Sequence, residues 1–330
     1  MPRFVTFIKD WMLPISMVTG ICLYLLLHFV PSLSGTAEPV FSDIARNLQP
    51  VMVAVMLFLQ FNKISPHDLK FKRWHIWLLL FQALMFVVPA LLCTCISHGN
   101  PRILIECAML CFVCPTAAAA GVITDKLGGS LSDTVTYVVL INILAAFIIP
   151  LVIPIVHPSA DISFWSSFFA ICKRVFPLLV FPLLVAWLIR YTIRPLQIFL
   201  MRYAHWAFYI WGFTLCLSIY LATKALINSG ISVWIAFLIC LISLACCLIQ
   251  FIIGRKTGRK ACKDGTEEDR KHDSITAGQA LGQKNSGFLI WLGFTYMTPV
   301  TSVAGGLYSI WQNLVNSWEL YQERHHKTIT

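Results

Sequence analysis

Apolar residues along this chain come in runs of about 20, the length at which a helix rising roughly 1.5 Å per residue crosses a hydrocarbon core of about 30 Å. Ten such runs stand between short polar links, at 11–30, 44–61, 75–97, 103–123, 132–156, 168–189, 204–226, 230–253, 274–295 and 297–317. The pattern predicts an all-α membrane protein with ten transmembrane helices. The ninth run is the least apolar, because Gln279, Gln283, Lys284 and Asn285 interrupt it. Hydropathy alone would count nine.

Charge decides that count. With an even number of spans both termini share a side, and placing them in the cytosol makes the inward links 62–74, 124–131, 190–203 and 254–273. Of 25 Lys and Arg residues, all but Arg46, Arg102, Lys173, Arg174, Lys224 and Lys284 then lie on the cytosolic side, the asymmetry that orients membrane proteins. Nine spans would reverse it in the C-terminal half. The expected location is therefore the cell (inner) membrane, multi-pass, with both termini cytosolic. Arg3 and Lys9 ahead of the first run resemble the start of a signal peptide. The run is long enough to span and no small-residue cleavage site follows it, so it reads as a retained helix.

Composition agrees. Apolar residues make up 58% and charged residues 12%, against about 25% charged in soluble domains. The formal charge of +10 lies in the links, with no basic stripe interleaved with aromatics, so no nucleic-acid partner is expected. The link 254–273, GRKTGRKACKDGTEEDRKHD, reads as a solvated cytosolic loop. The 12 cysteines lack zinc-finger spacing, and Cys111 and Cys114 form a CxxC inside an apolar run. They read as small core residues rather than as metal or redox groups.

Ten spans divide into five and five at the outward link around His157 to Ser163, giving repeats at 1–157 and 158–330. An odd number of spans per half gives the halves opposite topology, the arithmetic of an inverted repeat. The polar or broken members, 103–123 and 274–295, are then the fourth of each half. Secondary transporters place their sites near the midplane where such discontinuous helices meet.

Segment four reads IECAMLCFVCPTAAAAGVI, with Pro115 at mid-membrane depth and four alanines after Thr116. Proline removes a helical hydrogen bond and small side chains admit a second backbone. The segment is either a kinked, tightly packed helix or a substrate-lining break. In segment nine, TAGQALGQKNSGFLI, the glycines at 278, 282 and 287 weaken the helix, and Gln279, Gln283 and Ser286 share a face by helical spacing. Lys284 is the sharpest feature, because an ammonium at the centre of a span costs about 2.5–3.5 kcal/mol. It is expected to face a cavity. Glu106 follows Arg102 by one turn, which predicts an ion pair at the outer interface. Asp133 reads as interfacial, and His28, His98 and His157 as solvated residues at outer helix ends. No Ser/His/Asp, paired-carboxylate or HExxH arrangement lies at membrane depth, so an enzyme is not expected. No ring-forming filter motif argues for a channel.

The stretch MLFLQFNKISPHDLKFKRWHIWLLLFQ joining segments two and three resembles the bile acid:sodium symporter family, in which a short link with an acidic residue and basic residues connects two helices. Cys114-Pro115, Pro150 and Pro154, and Gly282 with Asn285-Ser286-Gly287 extend the resemblance over nearly the whole chain. It implies ten helices in interleaved panel and core domains, segments four and nine unwound where they cross, and alternating access for organic anions. The sodium ligands that the resemblance implies are incomplete. The Ser-Asn pair after the Cys-Pro motif falls at Ala120 and Gly121, the acidic residue before the segment-nine glycine at Ala280, and the glutamine before Asn-Ser-Gly at Lys284. Asn142 or Thr134 is left to supply a ligand from segment five.

A fixed ammonium can take over part of the charge of two sodium ions. The expected function is a secondary transporter of small organic anions, bile-acid-like or carboxylate, in which Lys284 replaces a coupling cation by pairing with the anion or by carrying a proton. The expected site is Lys284, Asn285, Gln283, Ser286, Gln279, Pro115, Thr116 and Asn142, in the lipid bilayer, with no cofactor and without the typical sodium pair. The alternative is a membrane sensor or scaffold that keeps the fold and has lost transport.

Overall fold

The computed structural model describes residues 12–63, 65–96, 99–117, 119–158, 162–203, 206–262 and 265–329. Arg3, Lys9 and His98 lie outside the described residues. Among those described, the chain is helical, and its one β-contact is an isolated bridge. The first helices are α1 (Met12–Phe29), α2 (Ala37–Phe61) and α3 (Arg73–Cys95). Segment four is two helices, α4 (Asn100–Val113) and α5 (Ala120–Lys126), followed by the unbroken α6 (Leu131–Val156). Segment six is the bent pair α7 (Phe164–Leu179) and α8 (Phe181–Thr192), 42° apart, with Pro182 just past the break. A short helix α9 (Arg194–Arg202) precedes α10 (Ala207–Asn228) and α11 (Val233–Ala261). Segment nine is again two helices, α12 (Glu267–Gly282) and α13 (Ser286–Tyr296), before the final α14 (Ser302–Ile329).

Five of these helices are each long and apolar enough to cross a membrane: α2, α3, α6, α10 from Tyr209, and α11; the bent pair α7–α8 makes a sixth. Lipid-facing side chains such as Trp77, Leu84 and Leu92 on α3 are exposed, while its other face, with Leu78, Gln82 and Phe86, is buried. This is a multi-pass membrane protein.

The helix starts follow local chemistry. Ser130 accepts from the Asp133 amide at 3.1 Å, and Thr266 and Asp269 form a reciprocal capping box. That box corrects the reading of 254–273 as a loop. Helix α11 runs on to Ala261 and α12 begins at Glu267. Gly254 and Gly258 let the two helices touch backbone to backbone, since a methyl on either would overlap the carbonyl oxygen of Ala277 or Asp273.

Ion pairs tie the helix ends. Lys72 Nζ reaches Asp133 Oδ2 at 2.9 Å and Asp273 Oδ1 at 2.5 Å, joining the start of α3 to α6 and α12. Asp133 is therefore buried and paired rather than simply interfacial. Glu106 pairs with Arg102 at 3.0 Å as its spacing predicts, but it is fully buried and also accepts from the Thr298 amide at 2.9 Å. His157, expected to be solvated, lies 3.3 Å from the same carboxylate. His28 meets the Tyr24 hydroxyl at 3.2 Å.

Candidate functional site

Two breaks in the helices meet. Thr116, between α4 and α5, and Lys284, between α12 and α13, form an antiparallel bridge. The Ala117 amide donates to Gln283 O at 3.1 Å, and the Asn285 amide donates to Pro115 O at 2.9 Å. Proline at position 115 has no N–H to lose, and its carbonyl is free of helical obligations, so it suits a crossing strand.

Unwinding a helix at membrane depth leaves polar backbone groups that lipid cannot satisfy. The neighbouring helices satisfy them here. Gln82 of α3 donates to Phe112 O at 2.6 Å and Cys114 O at 3.3 Å, and Gln250 of α11 donates to Cys111 O at 3.2 Å. Tyr308 of α14 donates its hydroxyl proton to Gly282 O at 2.7 Å, and Thr116 Oγ1 donates to Ala280 O at 2.6 Å. Gln312 grips Lys284 from both sides, accepting from its amide at 2.7 Å and donating to its carbonyl at 3.2 Å. Asn285 caps α13 by accepting from the Phe288 amide at 3.2 Å.

The Lys284 side chain is different. It is 0% exposed, and its Nζ has no hydrogen-bond partner among the described residues. The titratable groups nearest it in effect are the thiols of Cys111, Cys114 and Cys247 rather than a carboxylate. None of the 12 cysteines forms a disulfide, and among the described residues no cluster of His, Cys, Asp or Glu could hold a metal ion.

Of the eight residues expected at the site, Pro115, Thr116, Gln283, Lys284 and Asn285 make up the crossing itself. Gln279 donates to Glu319 Oε2 at 2.7 Å and accepts from Gln283. Ser286 does not continue their face, because the break at Gln283–Asn285 falls before it and it starts α13. Asn142 is buried on α6, with its amide group turned back to Val138 O at 2.7 Å and its Oδ1 unpaired. Thr134 likewise donates to its own helix, at Ser130 O. Sequence reading missed Gln82, Gln250 and Gln312. For Gln82 and Gln250 the signal was a lone amide in an apolar stretch of helix, weaker than a charge but of the same kind; Gln312, beside Asn313, carried no such signal.

Two broken helices crossing in an all-helical membrane protein agree with the relationship found by sequence comparison. The chain belongs to the SBF-like CPA transporter family. That family, related to the bile acid:sodium symporters, matches residues 12–276, which is most of the chain and includes the first break. The second break, with Lys284, lies beyond the matched residues. No curated protein matches the chain.

Proposed function

We propose that the protein is a secondary transporter of small organic anions that works by alternating access around the crossing of its two broken helices. In this reading α4–α5, α7–α8 and α12–α13 each count as one span. The ten spans form two inverted repeats, 1–157 and 158–330, with the crossing built from the fourth span of each. Helices α1, α2, α7–α8 and α10 form a panel, and the others a core that carries the site.

The observation that supports the reading is Lys284, a buried ammonium with no ionic or hydrogen-bond partner among the described residues. Such a charge is costly unless an anion neutralises it or it gives up its proton. The start of α13, directly after Lys284 and Asn285, brings the positive end of a helix dipole to the crossing, which favours a carboxylate there. Lys284 then takes the part of a coupling cation, and transport does not need the usual sodium pair.

Uptake of a panel of carboxylates and bile acids into proteoliposomes tests this, with inward sodium, inward proton or no gradient, for the unaltered protein and Lys284→Ala. The expected result is uptake that is indifferent to sodium and falls at least about tenfold in the variant, the size of one lost charge-assisted contact. Strong sodium dependence would overturn the coupling assignment. No uptake by either protein would favour a sensor of the same fold.

A further inference from the structure

Helix α9, Arg194–Arg202, which stands between the apolar helices α8 and α10, has no buried residue. Its sequence, RPLQIFLMR, is amphipathic. Leu196, Phe199, Leu200 and Tyr203 follow the i, i+3, i+4, i+7 spacing of one helical face, with Arg202 at its flank and Arg194 opposite, where Ile198 and Met201 are also exposed. Phe199 is 55% exposed and Tyr203 42%, and Trp206 just beyond is exposed as well. Ile193, at φ −129° and ψ 66°, breaks the helical path between α8 and α9, and Pro195 opens the new helix.

Along the chain the charge on either side of this helix is of one sign. No Asp or Glu occurs between Asp161 and Asp264, while Arg190, Arg194 and Arg202 fall within one stretch. The Tyr191 hydroxyl lies 3.2 Å from His67 Nδ1, which brings the 62–73 link, where Lys63, Lys70 and Arg73 outnumber Asp68, to the same end of the molecule. An apolar face backed by arginines, at the end of spanning helices, matches the chemistry of a bilayer surface: acyl chains on one side and phosphate headgroups on the other.

We propose that α9 is an interfacial helix that binds anionic phospholipid, with Arg190, Arg194 and Arg202 on the headgroups and Leu196, Phe199, Leu200 and Tyr203 in the acyl region. The face fits this partner better than an acidic protein, because its apolar residues continue the lipid-facing surface of α8, where Leu184 and Leu188 are exposed. The inference rests on the protein's place in a membrane and is independent of the transport reading.

The test is native mass spectrometry of the purified full-length protein titrated with phosphatidylglycerol or phosphatidylcholine of the same acyl chains. Each arginine near an anionic surface contributes about fivefold in binding. Replacing Arg190, Arg194 and Arg202 together by Gln is expected to weaken phosphatidylglycerol binding at least tenfold and to leave phosphatidylcholine binding within twofold. Replacing the exposed Lys256, Lys260 and Lys271 by Gln, an equal loss of charge elsewhere, is expected to change phosphatidylglycerol binding less than threefold. Phe199→Ser with Leu200→Ser is expected to weaken both lipids. Melting in lipid-free detergent verifies that each variant is folded, which the exposure of α9 favours. The proposal is overturned if the arginine variant keeps its phosphatidylglycerol affinity within twofold, if the lysine variant loses as much, or if the arginine variant changes oligomeric state with lipid binding intact.

Discussion

Cations away from the inward links have identifiable partners in several cases. Lys224 Nζ meets Glu38 Oε1 at 2.7 Å, Arg102 meets Glu106, and the Arg46 guanidinium stands over the Phe294 ring at 5.3 Å. Lys284 is set apart by having its backbone held at both polar atoms while its amine has no partner among the described residues. Lys72 is the opposite case. Burial disfavours its charge, but the hydrogen bonds it donates to Asp273 and Asp133 outweigh this and hold its pKa above the ordinary 10.5. A raised folded-state pKa means that the bridge stabilises fully below about 10.5 and loses its contribution as pH rises through the higher folded value. The melting temperature of the unaltered protein is therefore expected to exceed that of Lys72→Gln by a constant margin from pH 7 to 10, and the margin to shrink above pH 10.5. A margin that grows with alkalinity would contradict the assignment.

Among the elements, the pair α11 and α12 was the least legible. Polar residues filled 254–273, and polarity alone reads as a loop. Helical structure there comes from a cap at Thr266 and from two glycines one turn apart that allow close approach to α12. Gly258→Ala forces a methyl against the Asp273 carbonyl oxygen, and overpacking of this kind costs about 1–3 kcal/mol. A lower melting temperature is expected for Gly258→Ala, whereas Thr257→Ala one position away should melt within a degree or so of the unaltered protein, the range of a surface change. Equal melting of both would show that the helices can part at no cost. The breaks at Pro115 and at Lys284 were easier to read, because proline and a run of Gln-Lys-Asn are poor company for a continuous apolar helix. Segment four could be a kink or a true break, and the bridge to Lys284 decides for the break.

At the scale of the molecule, Gln49 of α2 reaches across to α13. Its Nε2 donates to Gly287 O at 2.9 Å and to Ser218 Oγ of α10 at 2.6 Å. If panel and core move as bodies, the bond to Gly287 must break in each cycle. A hydrogen bond is worth about 1 kcal/mol net, so Gln49→Leu is expected to raise the fraction of molecules with the crossing opened by about fivefold. Labelling of Lys284 by a small amine-reactive reagent, followed by peptide mass spectrometry, measures that fraction. An unchanged labelling rate would place the moving boundary elsewhere.

The sequence by itself determined that this is a helical membrane protein, where most of its spans lie, and that Lys284 is unusual. Those properties depend on local hydropathy and charge, which the bilayer reads residue by residue. It also carried the family resemblance, through Cys114-Pro115 and Asn285-Ser286-Gly287. Tertiary structure alone decided that Thr116 and Lys284 are neighbours, that Ser286 opens α13 while Asn142 turns its amide to its own helix, and that three glutamines from α3, α11 and α14 support the crossing. Residues 168 positions apart meet only because folding packs two breaks together, and no local pattern encodes which amides will satisfy which carbonyls.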